Sequence, residues 1–304
     1  MPSIGNTPLL RLEHITGPDC AEIFVKWEGA NATGSMKDRM ALSMIEGAEK
    51  RGELKPGGRV VDYTGGSTGS SVSMVCAAKG YRAYFVSSDA FAEEKIKTMR
   101  AFGATVELVP SENRMITAEL FKTMFKRVEE LRGEPDTFWL DQFNNRDNSA
   151  GYHGMAREIV TALDGKVDEF VMGVGTGGCF SGNAEYLKEH VPGVRCIATE
   201  PATSRALSGV GTMGAHRLEG MGAGFVPGIC RLDLADEIRQ VTDDDAHVMA
   251  RQLAREEGIF GGITSGGNVW TALQRAKELG PGHKVVTVIV DSGLKYLGGE
   301  LYGG

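Results

Sequence analysis

The sequence has no cysteine cluster, no long apolar segment and no run of basic residues. Its five cysteines are scattered without a Cys-x-x-Cys pair, so neither a disulfide framework nor a zinc site is indicated, and we expect no bound metal. No apolar segment approaches the roughly 18 residues that a membrane helix needs, and no charged-then-apolar leader stands at the start. These features predict a cytoplasmic protein in a reducing compartment, without a membrane partner.

The charge balance argues against nucleic acid as a partner. Lysine and arginine number 33 against 40 aspartates and glutamates, which gives a formal net charge of −7. An acidic chain without a basic run has no surface that follows nucleic-acid phosphates. Any anion binding must therefore be local, and we expect small-molecule partners.

Glycine is abundant, at 42 of 304 residues, and much of it follows short apolar segments. The segment 64–71, Thr-Gly-Gly-Ser-Thr-Gly-Ser-Ser, follows the β-branched segment 59–63 and precedes a helical pattern. Free backbone N–H groups at a helix start, together with glycines and hydroxyls, suit a carboxylate or a phosphate. Turn statistics alone also allow an ordinary Gly/Ser turn with a helix N-cap.

Two further glycine-rich loops and one lysine favour the anion-binding interpretation. Residues 173–178 close a predicted strand, residues 262–267 open a predicted helix, and Lys37 stands at the start of another helix. A lysine there is usually solvated, but a helix N-terminus disfavours the ammonium form. A neutral amine can form a Schiff base and later abstract a proton. Three anion loops and one such lysine predict a phosphorylated aldehyde cofactor.

Strand-length apolar segments alternate with amphipathic segments along the whole chain, which predicts mostly parallel α/β sheets. No flexible linker divides the chain, so two lobes would pack together with a cleft between them, at the carboxyl ends of the strands. The predicted strands cover residues 23–27, 59–63, 83–86, 105–108, 169–173, 195–199 and 284–290. The predicted helices cover residues 38–51, 68–79, 92–102, 117–131, 149–163, 180–189, 243–257 and 268–279.

The loop 173–178 also matches the dinucleotide fingerprint G-x-G-x-x-G, and Glu200 ends the next strand, where a ribose-binding acid would stand. A nicotinamide-dependent dehydrogenase is therefore an alternative. Against it, the motif lies deep in the chain, and this function would leave Lys37 and the loop 64–71 unexplained.

Eight segments together resemble one family: residues 4–9, 35–39, 64–69, 142–144, 173–178, 220–227, 262–266 and 291–293. In number, order and spacing they are similar to the fold-type II pyridoxal-phosphate enzymes of the cysteine synthase (O-acetylserine sulfhydrylase) and cystathionine β-synthase group. The resemblance implies a two-lobed α/β fold of the tryptophan synthase β type, with mostly parallel twisted sheets and helices on both faces. It also implies a homodimer, a larger cofactor domain at 1–39 and 143–304, and a smaller mobile domain at 40–142.

The same resemblance implies the site residues. Lys37 would be the catalytic lysine, bound to pyridoxal 5'-phosphate as a Schiff base and acting as the base at the substrate α-carbon. The cofactor would contact Lys37, Ser67, Gly175, Thr176, Gly177, Gly178, Cys179 and Thr264. The amino-acid substrate would contact Thr64, Gly65, Thr68 and Gln142. A neutral hydroxyl at Thr264, near the pyridine nitrogen, would make the cofactor a moderate electron sink.

Three positions depart from the family pattern. Gly65 replaces a serine and Ser67 an asparagine, so we expect open space beside Gly65 and, as the substrate, O-acetylserine or a related serine derivative. Cys179 replaces a threonine of the phosphate loop, and we interpret its thiol as a packing group rather than a nucleophile.

The implied reaction is β-elimination followed by β-replacement on an activated L-serine derivative, with sulfide or another small nucleophile. Three alternatives stay open at this point. One is a lyase or dehydratase that releases pyruvate and ammonia, another is a non-catalytic protein that binds the cofactor, and the third is the dehydrogenase described above.

Overall fold

The computed structural model describes residues 1–211 and 214–303. Ten strands lie in this part of the chain: β1 (Leu9–Arg11), β2 (Glu22–Trp27), β3 (Arg59–Tyr63), β4 (Arg82–Ser88), β5 (Thr105–Val109), β6 (Thr137–Trp139), β7 (Glu169–Gly173), β8 (Arg195–Pro201), β9 (Glu237–Val241) and β10 (Lys284–Ile289). Nine α-helices accompany them: α1 (Lys37–Arg51), α2 (Ser67–Lys79), α3 (Glu93–Ala101), α4 (Ala118–Leu131), α5 (Asp147–Ala150), α6 (His153–Ala162), α7 (Gly178–His190), α8 (Asp243–Glu256) and α9 (Ile263–Leu279).

The described strands form two sheets. The larger sheet has the order β1-β2-β10-β7-β8-β9, and the smaller sheet has the order β5-β4-β3-β6. Every pairing is parallel except that of β1 with β2. The predicted mostly parallel α/β architecture is confirmed.

Parallel sheets require cover on both faces, because their crossover helices pack there. All five residues of β7 are buried. Phe170 and Met172 belong to one hydrophobic cluster, and Val171, which points to the opposite face, belongs to another. Both faces of the larger sheet are thus packed.

The two sheets also share a core. The first cluster joins Met40 and Met44 of α1 with Val60 of β3 and Phe170 of β7. The smaller sheet lies between residues 59 and 139, within the predicted smaller domain, and the domain boundaries remain a prediction. Residues 212, 213 and 304 of the predicted larger domain lie outside the described part.

Some elements differ from the sequence prediction. The helix predicted at 149–163 is two helices, α5 and α6, separated at Gly151 and Tyr152. There the chain approaches α1 so closely that a Cβ on Gly151 would lie 2.9 Å from the Cα of Met40. The short strands β1, β6 and β9 were not predicted, because their residues are mostly half-buried or exposed and form no buried apolar segment like those of β3 and β7.

The fold places two glycine loops at strand ends. β3 ends directly before Thr64, and α2 begins after Gly66, whose φ is 126°. β7 leads to Gly177, with φ of 86°, and α7 follows at once. Glycine tolerates these positive φ values at little cost. No helix in the described ranges is long and apolar enough to cross a membrane.

Candidate active site

A cleft lies where the glycine loops of the two sheets meet. Its walls combine apolar side chains with a few polar groups, a combination typical of small-molecule sites. Eight of the predicted site residues line it: Lys37, Thr64, Gly65, Ser67, Thr68, Gln142, Gly175 and Thr176. The structure therefore brings together segments that are more than 100 residues apart in the sequence.

Lys37 is the first residue of α1, and its backbone N–H donates to Ser35 Oγ over 3.2 Å. Burial lowers the pKa of the Lys37 ammonium, and the nearby Asp291 carboxyl only partly opposes this shift. A lowered pKa increases the fraction of neutral amine, the nucleophilic form.

The loop at the start of α7 is built from backbone in close contact. A Cβ on Gly175 would lie 2.2 Å from the carbonyl oxygen of Gly220, and one on Gly178 would lie 2.0 Å from Asn148 Oδ1. A larger residue would displace the Gly220 backbone at the first position and the Asn148 side chain at the second. Thr176 is buried, with its hydroxyl 3.3 Å from Asn148 Nδ2. Backbone N–H groups at a helix N-terminus beside a hydroxyl form a binding place for a phosphate.

Cys179 follows this loop but turns its thiol into the core. Its side chain is 4% exposed, and Sγ lies 3.8 Å from Met172 Sδ. Burial raises the pKa of the Cys179 thiol to about 12. A thiol in this state is a packing group, and only the backbone N–H of Cys179 remains for an anion.

The loop before α2 is organised by its own side chains. Thr64 Oγ1 accepts hydrogen bonds from the N–H groups of Gly66 at 3.0 Å and Gly69 at 3.2 Å. Thr68 Oγ1 donates to Gln142 Oε1 over 2.8 Å, and Gln142 Nε2 donates to the Tyr63 carbonyl over 2.7 Å. The Thr64 hydroxyl hydrogen and the second amide hydrogen of Gln142 remain free to contact a carboxylate.

The expected space beside Gly65 is filled, so that expectation is wrong. A Cβ on Gly65 would lie 3.0 Å from Cε1 of Phe91, whose ring is 8% exposed. The aromatic ring takes the position next to Gly65 and gives this wall of the cleft an apolar surface.

Thr264 is not among the residues that line the cleft, but it contacts Glu219, which is. Its hydroxyl donates to the Glu219 carbonyl oxygen over 2.6 Å, and its side chain is 2% exposed. Gly177, Gly178 and Cys179 are likewise not among the residues that line the cleft; Gly177 is the N-cap of α7, and the other two are its first residues.

Several residues that line the cleft were missed from the sequence: Phe91, Lys95, His216 and Glu219. Lys95 lies in α3 among Glu93, Glu94 and Lys97, a composition that indicates a solvated helix face. The sequence carries no signal that distinguishes this buried lysine from its exposed neighbours.

Glu200, which would bind the ribose in the dinucleotide alternative, already forms hydrogen bonds within the protein. Its carboxylate accepts from Leu207 N–H at 2.8 Å and from Ser208 Oγ at 2.6 Å, and the residue is 1% exposed. Among the described residues, no group of three or more His, Cys, Asp or Glu side chains is arranged to hold a metal ion.

A family model described as "Pyridoxal-phosphate dependent enzyme" matches residues 1–291. The chain belongs to this family of pyridoxal-phosphate dependent enzymes. It is 41% identical over 301 residues to a cysteine synthase of Staphylococcus aureus (strain Mu50 / ATCC 700699), an alignment covering 98% of this chain and 95% of the relative.

Two solved structures are similar over their length. A hydrogen sulfide-producing enzyme from Fusobacterium nucleatum superposes with a TM-score of 0.91 at 41% identity, covering 97% of this chain and 98% of that one. An O-ureido-L-serine synthase superposes with a TM-score of 0.93 at 35% identity, covering 100% of this chain and 94% of the other. These findings confirm the predicted family, fold type and cofactor, and the dehydrogenase alternative is wrong.

The residues present fit pyridoxal phosphate. The start of α7, where the Gly220 carbonyl lies against Gly175 and the Asn148 side chain against Gly178, offers backbone N–H groups for its phosphate, and Lys37 offers an amine whose pKa is lowered by burial. The loop 64–69 faces the same cleft and is free to bind the carboxylate of an amino acid.

Proposed function

We propose that the protein replaces the β-substituent of an activated L-serine derivative with a small nucleophile, as a cysteine synthase does with sulfide. One observation carries the proposal: two anion-binding loops and the amine of Lys37 line a single cleft. One loop suits the cofactor phosphate and the other the substrate carboxylate. The relative from Staphylococcus aureus, named a cysteine synthase, supports this choice.

The predicted residues divide between substrate and cofactor in this proposal. Thr64, Gly65, Thr68 and Gln142 bind the substrate carboxylate, and Ser67, the first residue of α2, contacts the cofactor. Lys37 removes the proton from the substrate α-carbon, with the amine held neutral by burial. The cofactor phosphate is held by Gly175, Thr176, Gly177, Gly178 and the Cys179 N–H. Thr264, whose hydroxyl donates to the Glu219 carbonyl, is the residue assigned to contact the pyridine nitrogen.

When bound, pyridoxal phosphate supplies an electron sink that stabilises negative charge at the α-carbon. The protein must also exclude water while the β-substituent is exchanged. The apolar side chains of Phe91, Phe143 and Ile116 line the substrate side of the cleft and serve this purpose.

A second candidate is release of sulfide from cysteine, since the Fusobacterium nucleatum enzyme at 41% identity is described as hydrogen sulfide-producing. Release of pyruvate and ammonia from a serine derivative belongs to the same group of lyase reactions. All three use the same residues and differ in the fate of the substrate.

The test is a visible absorbance titration of the protein loaded with pyridoxal phosphate, using O-acetylserine, O-phosphoserine, serine and cysteine in turn. We expect a spectral change with an activated serine derivative, reversal when sulfide is added, and cysteine as the product by mass spectrometry. Pyruvate as the main product with sulfide present would favour the lyase, and sulfide release from cysteine would favour the second candidate. A spectrum unchanged by all four amino acids would contradict the proposal.

We also propose a cytoplasmic homodimer. The five cysteines are all unpaired, and unpaired cysteines are usual in a reducing compartment. The dimer is carried over from the family, and light scattering of the purified protein tests it.

A further inference from the structure

Lys95 is a buried lysine in the cleft to which the proposed reaction assigns no role. Its side chain is 3% exposed, and Nζ lies 2.5 Å from Glu219 Oε2. Burial alone would lower the pKa of Lys95, but the carboxylates of Glu219 and Asp291 raise it above its usual value. The side chain is thus a cation held inside the protein by its partners.

The described contacts of this ammonium come from the larger-sheet side of the molecule. Glu219 precedes Gly220 in the segment after β8, and Tyr296 follows β10. The Tyr296 hydroxyl is 3.3 Å from Nζ, and the Tyr296 ring centroid is 4.7 Å away. Tyr296 in turn donates to Asp291 Oδ2 over 2.8 Å. Lys95 itself lies in α3, between two strands of the smaller sheet, so the ion pair crosses the cleft.

The carbon stem of Lys95 packs against the loop 64–69, the carboxylate loop of the proposed function. A Cβ on Gly66 would lie 2.6 Å from both Cβ and Cδ of Lys95, so the loop backbone packs directly on the stem. Ser70 Oγ reaches the Lys95 carbonyl at 3.3 Å and the Gly66 carbonyl at 3.0 Å. The position of α3 thus determines the position of Gly66 and of the start of α2.

Glu219, the acidic partner of the ion pair, contacts Thr264, a predicted cofactor-binding residue. The Glu219 carbonyl accepts a hydrogen bond from the Thr264 hydroxyl, and the Glu219 carboxylate accepts one from the Lys95 ammonium. One residue therefore contacts both the proposed support of the pyridine nitrogen and the lysine beneath the carboxylate loop.

We propose that Lys95, through its ion pair with Glu219, is a positioning residue that holds the loop 64–69 in its substrate-binding arrangement. The ammonium fixes α3 to the larger-sheet side, and the stem fixes the backbone of Gly66. Loss of the charge frees the loop and weakens binding of the amino-acid carboxylate, while the cofactor stays bound. This inference rests on the proposed function, because it assigns the loop to the substrate carboxylate.

The test compares Lys95→Met with Lys97→Met in the protein loaded with pyridoxal phosphate. Lys97 lies on the same helix, is 65% exposed and pairs with Glu93. For Lys95→Met we expect the KM for O-acetylserine to rise about tenfold or more, because removing one partner of a buried charge pair is costly. We expect a smaller change in kcat, an unchanged visible spectrum before substrate is added, and faster amide hydrogen exchange in residues 64–71.

Two more variants separate positioning from a general loss of structure. Lys95→Arg keeps the charge and should recover part of the KM, and Glu219→Gln should show the same pattern as Lys95→Met with a smaller effect. Because the residues act as a pair, the double variant Lys95→Met/Glu219→Gln should be no worse than Lys95→Met. If Lys95→Met does not fold, Glu219→Gln carries the test.

Unchanged KM and unchanged exchange in residues 64–71 for both Lys95→Met and Glu219→Gln would overturn the inference, as would an equal effect from Lys97→Met. The exchange measurement needs no turnover. If no serine derivative reacts with the wild type, the proposed function fails, while faster exchange in Lys95→Met still supports the positioning role.

Discussion

The two loops proposed to bind anions both connect a strand to a helix, yet they are held in different ways. In the loop before α7, backbone and buried polar atoms surround the glycines: the Gly220 carbonyl faces Gly175, and Asn148 faces Gly178. In the loop before α2, side chains surround them: Phe91 faces Gly65, and Lys95 faces Gly66. The backbone carbonyl that faces Gly175 cannot be removed by substitution, whereas the side chains that face Gly65 and Gly66 can.

This difference agrees with the proposed roles. A cofactor phosphate is the same in every turnover, so a fixed backbone cradle suits it. A substrate differs among related enzymes, and side chains such as Phe91 can adjust the cleft without disturbing the sheet. We therefore expect changes near α7 to affect cofactor loading, and changes near α2 to affect substrate choice.

The largest effect should come from Gly178→Ala. The added Cβ would lie 2.0 Å from Asn148 Oδ1, so the loop or Asn148 must shift. We expect cofactor affinity to fall strongly and the free energy of unfolding to drop by about 1–3 kcal/mol, as in other overpacked sites. Absorbance titration with pyridoxal phosphate and urea unfolding measure the two effects.

Gly17→Ala is the matched control, since a Cβ at Gly17 meets no described atom within 4 Å. Wild-type cofactor affinity in Gly178→Ala would show that this cradle does not hold the phosphate.

A smaller effect, on selectivity, should come from Gly65→Ser. Its Cβ would press on Phe91 at 3.0 Å, so the ring must move. We expect the ratio of kcat/KM values between O-acetylserine and other serine derivatives to change several-fold, because added or removed methylenes in a pocket are worth about 1–3 kcal/mol. Cofactor affinity should change less than the substrate ratio.

Gly65→Ser/Phe91→Ala supplies the control, since it removes the ring that the introduced side chain would displace. An identical substrate profile in the wild type and both variants would separate this wall of the cleft from substrate choice.

The smallest effect on cofactor and substrate binding concerns Asp62, which lies in β3 just before the loop 64–69 and changes stability instead. Its carboxyl accepts from Tyr63 N–H at 2.9 Å and from Gln142 N–H at 3.3 Å. Burial raises the pKa of Asp62 from 3.8 to about 7. The folded protein then retains a proton that the unfolded chain releases, so the stability from this group is complete below about pH 4 and declines as the pH rises toward 7.

Asp62→Asn removes this titration. The wild type should lose stability relative to Asp62→Asn between about pH 4 and 7, by at most about 1.4 kcal/mol per pH unit. Urea unfolding of both proteins at several pH values measures the difference. Parallel stability curves would contradict a raised pKa at Asp62.

Elements with strong local signals were predicted well. The strands β3 and β7 begin and end where the sequence placed them, because each is a short buried run bounded by turn residues. The break at Gly151 was missed, since it depends on contact with α1, which lies more than 100 residues earlier in the sequence.

The same limit applies to the site. Lys37 and the glycine loops carry local signals, and the structure brings them to one cleft. Phe91, Lys95 and Glu219 carry none, because their importance comes from which sheet or loop they face after folding. The open space expected beside Gly65 was wrong for this reason: the residue that fills it lies 26 positions later.

The most direct test of the central claim is the visible absorbance of Lys37→Ala after incubation with pyridoxal phosphate and removal of the unbound cofactor. We predict that the wild type shows the band of a lysine–cofactor Schiff base and that Lys37→Ala lacks it. A wild-type band in Lys37→Ala would contradict the assignment of Lys37 and, with it, the proposed site.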